Sequence, residues 1–378
     1  MEGGEIEKLL KVWVWVFISL FYSYLIPKSI PKGPKRLVSI LPVVALFLYL
    51  PLNLSSVHLA GLTSFFIAWL ANFKLLLFSF GRGPLCNPPP SSLPLFVAVS
   101  CLPIKIQIQQ PPPTAASSSR ALNYTLKALC LAVLIRVYDY RDRIHPKLLL
   151  ILYVFHIYFM LEIILAASAA SARALLGLEL EPQFNEPYLS TSLQDFWGRR
   201  WNLTVTRILR PSVYDPTRDL FTRFVGPKSA PLPAVFATFV VSALMHELMF
   251  YYMGRARPTW ETTCFFLLHG AAVTSEIAVK KAVNDKDKEG RWSSWWVVSA
   301  SRVLTMGFVT TTACWLFFPK FVHCQLDAKA FEEYAAVGAF LTNLSGQVLF
   351  QALPPRGTFR GGNVLSSQEP NLSCLPLS

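Results

Sequence analysis

Charged residues are scarce in this chain. Only 15% of its 378 residues are Asp, Glu, Lys or Arg, whereas 53% are hydrophobic. A soluble protein typically carries about 25% charged residues, which it needs to cover its surface. This scarcity argues against a soluble globular domain and predicts a membrane protein.

Several motifs that would indicate a catalytic class are also missing. The sequence contains no Gly-x-Ser-x-Gly, no Walker loop and no Gly-x-Gly-x-x-Gly, so serine hydrolase, ATPase and Rossmann interpretations have no support. The seven cysteines stand singly, without a Cys-x-x-Cys pair, so neither a disulfide framework nor a zinc ribbon is expected. His246-Glu247 begins like a His-Glu-x-x-His zinc motif, but position 250 is Phe250. We therefore expect neither a metal nor a bound cofactor.

Acidic residues are fewer than basic ones, and the formal net charge is +13. The basic residues lie in short segments between apolar runs, and no soluble domain is present to carry a nucleic-acid groove. The charge therefore favours the positive-inside bias of a membrane protein over nucleic-acid binding. A phosphate-bearing substrate on the cytosolic side would add a second reason for it.

Long apolar runs dominate what is present. Most have roughly the 17–25 residues needed to cross hydrocarbon as a helix, and none alternates like a barrel strand. The prediction is an all-α, polytopic transmembrane bundle of about 8–9 spans. The candidate spans are 9–26, 37–54, 58–80, 121–138, 148–176, 234–253, 260–278, 295–318 and, more weakly, 334–350.

The spans divide the chain into a membrane-embedded domain over 1–353 and a tail over 354–378. The tail and the proline- and serine-rich segment 86–120 are expected to be disordered or loosely held. Alternating nine spans puts the basic segment 280–291, the loop 178–233 and the tail on one side. The excess of Lys and Arg on that side predicts that it is cytosolic.

One polar stretch, 188–211, is rich in tryptophan and arginine. Ser192 is predicted to cap a helix here, because Asp195 follows three residues later as in a capping box. Asp195 can then pair with Arg199 at a spacing of four residues, and Pro211 should end the helix. One face with its flank carries Gln194, Asp195, Arg199, Trp201, Asn202 and Thr206, while Trp197 and Arg200 point elsewhere.

Two interpretations of this stretch remain open on the pattern alone. It is either an interfacial amphipathic helix with Trp and Arg at headgroup depth, or a helix that frames a cavity and presents Asn202 to it.

A histidine inside a membrane span is a candidate functional residue, because burying an ionisable group there is costly without a role. His156, His246 and His269 all lie within predicted spans, and interhelical hydrogen bonding is the plain alternative for each. His246 is favoured because Glu247 follows it and because span 234–253 comes directly after the loop 178–233, which contains the polar stretch 188–211. His269, with Glu247, is a possible secondary site.

Two segments carry a family resemblance. Ser192-Leu-Gln-Asp-Phe-Trp-Gly-Arg-Arg-Trp-Asn202 and Ser242-Ala-Leu-Met-His246-Glu-Leu resemble the jojoba-type wax synthases of plants, a branch of the membrane-bound O-acyltransferase (MBOAT) superfamily. The segment 258–270 matches as well, and the resemblance runs from the first span to about position 319. It implies a helical bundle with an internal catalytic chamber in the endoplasmic reticulum membrane.

The resemblance also implies a reaction and a site. The enzyme would transfer a fatty acyl group from acyl-CoA to a long-chain alcohol, with membrane lipids around it. His246 would act as the general base, and Asn202 would orient it or stabilise the oxyanion. The residues expected to bind acyl-CoA are Gln194, Asp195, Trp197, Arg199, Arg200 and Trp201, with Arg207 and Arg210 completing a basic rim.

Other functions remain open. Sterol acyltransferases and diacylglycerol acetyltransferases look similar over the same segments, so the acceptor could be a sterol or a diacylglycerol. A membrane transporter is the alternative from another class. A transporter would more often show paired repeats with broken helices at matching positions, which this sequence lacks.

Overall fold

The computed structural model describes residues 3–87, 89–103, 115–176, 183–284 and 295–352. Within these residues the chain is helical and contains no strand. We number the principal helices α1 (Gly3–Leu25), α2 (Pro34–Tyr49), α3 (Val57–Ser79), α4 (Leu93–Cys101), α5 (Ala115–Val137), α6 (Pro146–Leu176), α7 (Leu193–Asp195), α8 (Leu203–Leu209), α9 (Asp215–Ser229), α10 (Pro231–Gly254), α11 (Glu261–Asn284), α12 (Trp295–His323) and α13 (Leu326–Ala352). The predicted all-α polytopic class is confirmed.

Seven helices in the described part of the chain are long and apolar enough to cross a membrane: α1, α2, α3, α6, α10, α11 and α12. The other two predicted spans, 121–138 and 334–350, overlap α5 and α13, which are helical but are not among the seven.

The chain divides into two compact units, Met1–Glu333 and Tyr334–Ser378. All seven candidate spans belong to the first unit. The membrane domain over 1–353 stays a prediction. The tail 354–378, most of the basic loop 280–291 and the middle of segment 86–120 lie outside the described residues.

Large apolar side chains face outward on several spans. Val38, Leu122, Val303 and Leu304 are each at least 66% exposed. A water-soluble protein would bury such residues, but in a bilayer they meet hydrocarbon of the same polarity. The interior of the unit holds an aromatic cluster shared by α6, α10, α11 and α12.

Four wide π-helical turns interrupt these helices. They are Ser64–Ala71 within α3, Phe196–Arg200 after α7, Arg210–Tyr214 after α8 and Ala313–Phe317 within α12. A π-turn inserts an extra residue into the helical register and is frequently found at functional sites. Each of the four contributes side chains to the cavity described below.

Gly270 sets the distance between α10 and α11. A Cβ atom at this position would lie 2.8 Å from Cβ of Phe239 and 3.2 Å from Cδ2 of Phe236. The Phe239 Cβ is fixed to the backbone of α10, so a side chain at position 270 would push the two helices apart.

We therefore predict that Gly270→Ala destabilises the protein by about 1–3 kcal/mol, the usual cost of overpacking a core. Gly307→Ala is the matched control, because a Cβ on that helical glycine meets nothing within 4 Å. Thermal unfolding in detergent, followed by the helical circular dichroism signal, compares the two variants. Equal unfolding midpoints for the two variants would show that α10 and α11 can move apart without a loss of stability.

Candidate functional site

A cavity of about 790 Å³ lies inside the first unit, in a size range typical of ligand sites. Side chains from α3, α5, α6, α10, α11, α12 and the motif segment 187–214 line it, and most of them are aromatic or aliphatic. His246 and Asn202 both face this one cavity. The interpretation of the motif as a cavity-framing segment is therefore the one that matches the structure.

His246 lies in the middle of α10, and its imidazole is held in one tautomer. Nδ1 is 2.7 Å from the backbone carbonyl oxygen of Ser242, one turn earlier. A carbonyl oxygen only accepts, so Nδ1 carries the proton and the lone pair is on Nε2. Within the described part of the chain Nε2 has no hydrogen-bond partner, and it is free to accept a proton.

Two aromatic rings fix the orientation of the His246 ring. Trp69 from α3 meets it at nearly a right angle, with the ring centroids 5.1 Å apart. Phe266 from α11 lies at 4.3 Å and only 32° from parallel. These contacts come from two other helices, so the imidazole is positioned by tertiary packing and not by α10 alone.

Asn202 occupies a sharp break in the motif segment. Its backbone is left-handed, with φ 37° and ψ 67°, a conformation that Asn tolerates better than most residues. The neighbouring backbone is tied down, because Leu203 N–H donates to the Gln183 carbonyl at 2.9 Å and Trp201 N–H to Phe196 at 2.8 Å. Oδ1 of Asn202 is buried and has no hydrogen-bond partner among the residues that the structure describes. Such a side chain is available to a ligand.

The motif segment is not the single helix that the sequence predicted. Ser192 does cap α7, accepting from Asp195 N–H at 3.2 Å. The π-turn Phe196–Arg200 then shifts the register by one residue, so Asp195 pairs with Arg200 at 2.7 Å and not with Arg199. A spacing of four residues applies to a regular α-helix and fails across a π-turn.

The prediction that Pro211 ends the helix is also wrong. Pro211 lies in the π-turn Arg210–Tyr214, and the chain continues as helix through α9. Proline disrupts a regular α-helix because it lacks the backbone N–H, and here it coincides with a π-turn and not with an end of the helix.

Four of the six residues expected to bind acyl-CoA line the cavity: Gln194, Trp197, Arg199 and Trp201. Asp195 and Arg200 do not. They form the ion pair described above, and Arg200 also donates to the backbone carbonyls of Asn185 and Glu186. Of the predicted basic rim, Arg199 and Arg210 line the cavity with exposed side chains, whereas Arg207 does not line it.

The two secondary candidates lie outside the cavity lining. Glu247 forms a buried ion pair with Lys320 of α12 and accepts hydrogen bonds from the N–H and hydroxyl of Thr263. Both charged side chains are at most 5% exposed, so each needs the other. His269 is fully buried and hydrogen-bonded through both ring nitrogens.

Sequence reasoning missed several residues of the cavity wall. Trp69, Phe266 and Ser242 contact or orient His246, and Lys127 forms a buried ion pair with Glu162 at 2.5 Å. The charge pair could have been suspected, because two ionisable residues stand within apolar helices. The packing of the helices decides which aromatic residues of a span face the cavity. The sequence of a single helix does not predict this.

Among the described residues, no group of three or more His, Cys, Asp and Glu side chains is arranged to hold a metal ion. Independence from a cofactor stays a prediction.

Comparison with known proteins gives concordant matches. Residues 180–268 match the family described as "Membrane bound O-acyl transferase family". Acyl-CoA–sterol O-acyltransferase 1 of Arabidopsis thaliana is 54% identical over 337 residues, 88% of this chain and 95% of that protein. The long-chain-alcohol O-fatty-acyltransferase of Simmondsia chinensis (jojoba) is 45% identical over 343 residues, 87% and 95% of the two chains. Probable long-chain-alcohol O-fatty-acyltransferase 1 of A. thaliana is 45% identical over 334 residues, again 87% and 95%.

Proposed function

The chain belongs to the membrane bound O-acyl transferase family, and from this premise we propose that it transfers a fatty acyl group from acyl-CoA to the hydroxyl of a lipophilic alcohol. The observation that carries the proposal is that His246, whose Nε2 has no hydrogen-bond partner among the described residues, lines the same apolar cavity as Asn202. A base in an apolar chamber suits a reaction whose two substrates both carry long apolar parts.

His246 acts as the general base. Its Nε2 takes the proton of the acceptor hydroxyl while the oxygen attacks the thioester carbonyl carbon. The Ser242 carbonyl accepts from Nδ1–H and stabilises the positive charge that the ring then carries. When the tetrahedral intermediate collapses, the carbon–sulfur bond breaks and the imidazolium returns the proton to the departing thiolate of coenzyme A.

Asn202 stabilises the oxyanion of that intermediate. The side chain lines the cavity from a rigid backbone break, and its Nδ2 N–H group is the donor for the oxyanion, since Oδ1 can only accept a hydrogen bond. A preorganised amide donor costs little reorganisation when charge develops, which is the basis of oxyanion stabilisation.

Arg199 and Arg210 bind the phosphates of coenzyme A. Both line the cavity and are exposed, which puts guanidinium groups where the cavity meets its surroundings. Arginine suits bidentate phosphate contacts. We expect this rim to face the cytosol at the endoplasmic reticulum, in accord with the distribution of Lys and Arg along the chain.

The acceptor enters from the bilayer. Leu126 of α5 and Phe155 of α6 line the cavity and are 58% and 49% exposed. An apolar alcohol dissolved in lipid can reach the cavity between these two helices without crossing water.

A long-chain fatty alcohol is the acceptor that we propose first, giving a wax ester. Several relatives at 41–46% identity bear the name long-chain-alcohol O-fatty-acyltransferase, including the jojoba protein. A sterol is the second candidate, and a specific observation favours it. The relative at 54% identity is named an acyl-CoA–sterol O-acyltransferase.

The acceptor is tested with microsomes from a host that makes no neutral lipid. Labelled acyl-CoA is supplied with fatty alcohol, sterol or diacylglycerol, and the products are separated by chromatography. We expect label in wax ester. Label in steryl ester alone would replace the first acceptor by the second, and label in no ester would end the proposal.

We predict that His246→Ala lowers kcat by about 10²- to 10⁴-fold, the usual contribution of a general base. Acyl transfer by purified protein measures it. His323→Ala is the matched control, because that histidine is 63% exposed and lies outside the cavity lining. If His246→Ala keeps its rate, the base is another residue.

We predict that Asn202→Gly lowers kcat by about 10²- to 10³-fold, the typical cost of losing one oxyanion donor. Glycine suits the left-handed backbone, so this variant removes the side chain without adding strain. Glu186→Gly is the control, since Glu186 is also left-handed, with φ 44°, but does not line the cavity. Equal rates for the two variants would reduce Asn202 to a structural role.

A further inference from the structure

A buried hydrogen-bond relay connects the motif segment to α11 and α12. The indole N–H of Trp197 donates to Nδ1 of His269 at 3.0 Å. Nε2 of His269 lies 2.8 Å from the hydroxyl oxygen of Thr312, and that hydroxyl lies 2.7 Å from the backbone carbonyl oxygen of Phe308. The three side chains come from three different elements and are far apart in sequence.

The direction of each bond in the relay is fixed by chemistry. An indole N–H can only donate, so Nδ1 of His269 is the acceptor and Nε2 carries the proton. Nε2–H donates to the Thr312 oxygen, and the hydroxyl proton goes to the Phe308 carbonyl. A neutral imidazole has one donor and one acceptor, and both are used. His269 therefore has no lone pair left to take a proton from a substrate.

His269 holds the side chain of Trp197, which faces the cavity. His269 does not line the cavity, whereas Trp197 does. The Trp197 ring packs against Phe266 at a centroid distance of 6.0 Å, and Phe266 in turn lies 4.3 Å from the His246 ring. The relay thus fixes the Trp197 indole as a wall of the cavity. Only the ring of Phe266 lies between this indole and His246, the proposed base.

Trp197 also stands next to the residues proposed to receive coenzyme A. It lies in the same π-turn as Arg199, which lines the cavity with an exposed side chain. Arg199, Trp197 and His246 all line the same cavity, so an acyl thioester held between Arg199 and His246 can lie against this indole. The wall is therefore in a position to seat the thioester and the first carbons of the acyl chain.

We infer that His269 is a positioning residue that locks the Trp197 indole as the wall on which the acyl thioester is seated for attack. This inference rests on the proposed function. It assigns His269 to substrate placement and not to proton transfer, and it makes Trp197 a determinant of acyl-chain selectivity.

The test compares variants that keep or break the relay. His269→Gln retains one acceptor and one donor, whereas His269→Phe retains neither. Trp197→Phe removes the N–H and leaves His269 in place. We expect His269→Phe and Trp197→Phe each to lower kcat by about 10- to 100-fold, the scale of a misplaced reactant. The double variant should be no slower than the slower single one, and His269→Gln should recover most of the rate.

Acyl-chain selectivity is the readout that a purely structural role would not move. The ratio of kcat/KM for a long and a short acyl-CoA does not depend on the fraction of folded enzyme. We expect Trp197→Phe and His269→Phe to change this ratio in the same direction, and His269→Gln to keep it. Thr312→Val, which leaves both partners in place but removes the hydroxyl, should give a smaller change of the same sign.

Two results would overturn the inference. If His269→Gln is as inactive as His269→Phe while Trp197→Phe keeps the wild-type rate, His269 acts on the proton. If the variants lose activity in proportion to their folded fraction and the selectivity ratio is constant, the relay is structural only. Absence of acyl transfer by the wild-type protein would instead contradict the proposed function itself.

Discussion

The structure depends on one constraint, that a polar group inside a membrane protein must find a partner within the protein. Water is not available there, and each unsatisfied group costs several kcal/mol. Glu247 and Lys320 neutralise each other, and His269 uses both ring nitrogens. Lys74, which is fully buried in α3, donates to the backbone carbonyls of Val99 and Leu102 at 2.6 and 2.7 Å. Against this background, an unpartnered polar atom next to a cavity indicates a place for a ligand.

Two such atoms define the candidate site. Nε2 of His246 and Oδ1 of Asn202 lack hydrogen-bond partners among the described residues, and both residues line the same cavity; Nε1 of Trp69, which packs against His246, is a third such atom. The different roles proposed for His246 and His269 follow from the same comparison of hydrogen-bond partners. Both are buried in neighbouring helices, but one nitrogen of His246 is left open while both nitrogens of His269 are occupied. Their different hydrogen bonds, and not their positions in the membrane, separate a proposed base from a proposed positioning residue.

The wide turns explain how regular spans produce an irregular chamber. A straight α-helix would repeat the same face every turn, whereas a π-turn redirects the side chains that follow it. Trp69, Trp197, Arg210 and Phe317 all reach the cavity from such turns. The motif segment shows the consequence most clearly. The π-turn after α7 places Arg200, and not Arg199, next to Asp195, and Arg199 lines the cavity instead.

The sequence by itself determined the class of protein and singled out His246 and Asn202, which the structure places on one cavity. Its scarcity of charge and its long apolar runs require a helical membrane bundle, because no other arrangement satisfies the backbone in lipid at that length. The motif segments around Asn202 and His246 were long enough to suggest the family. Only the tertiary structure decided which nitrogen of His246 is free, which arginines line the cavity, and that Glu247 pairs with Lys320. Those outcomes depend on contacts between helices distant in sequence, and on a local register shift that no regular helical spacing describes.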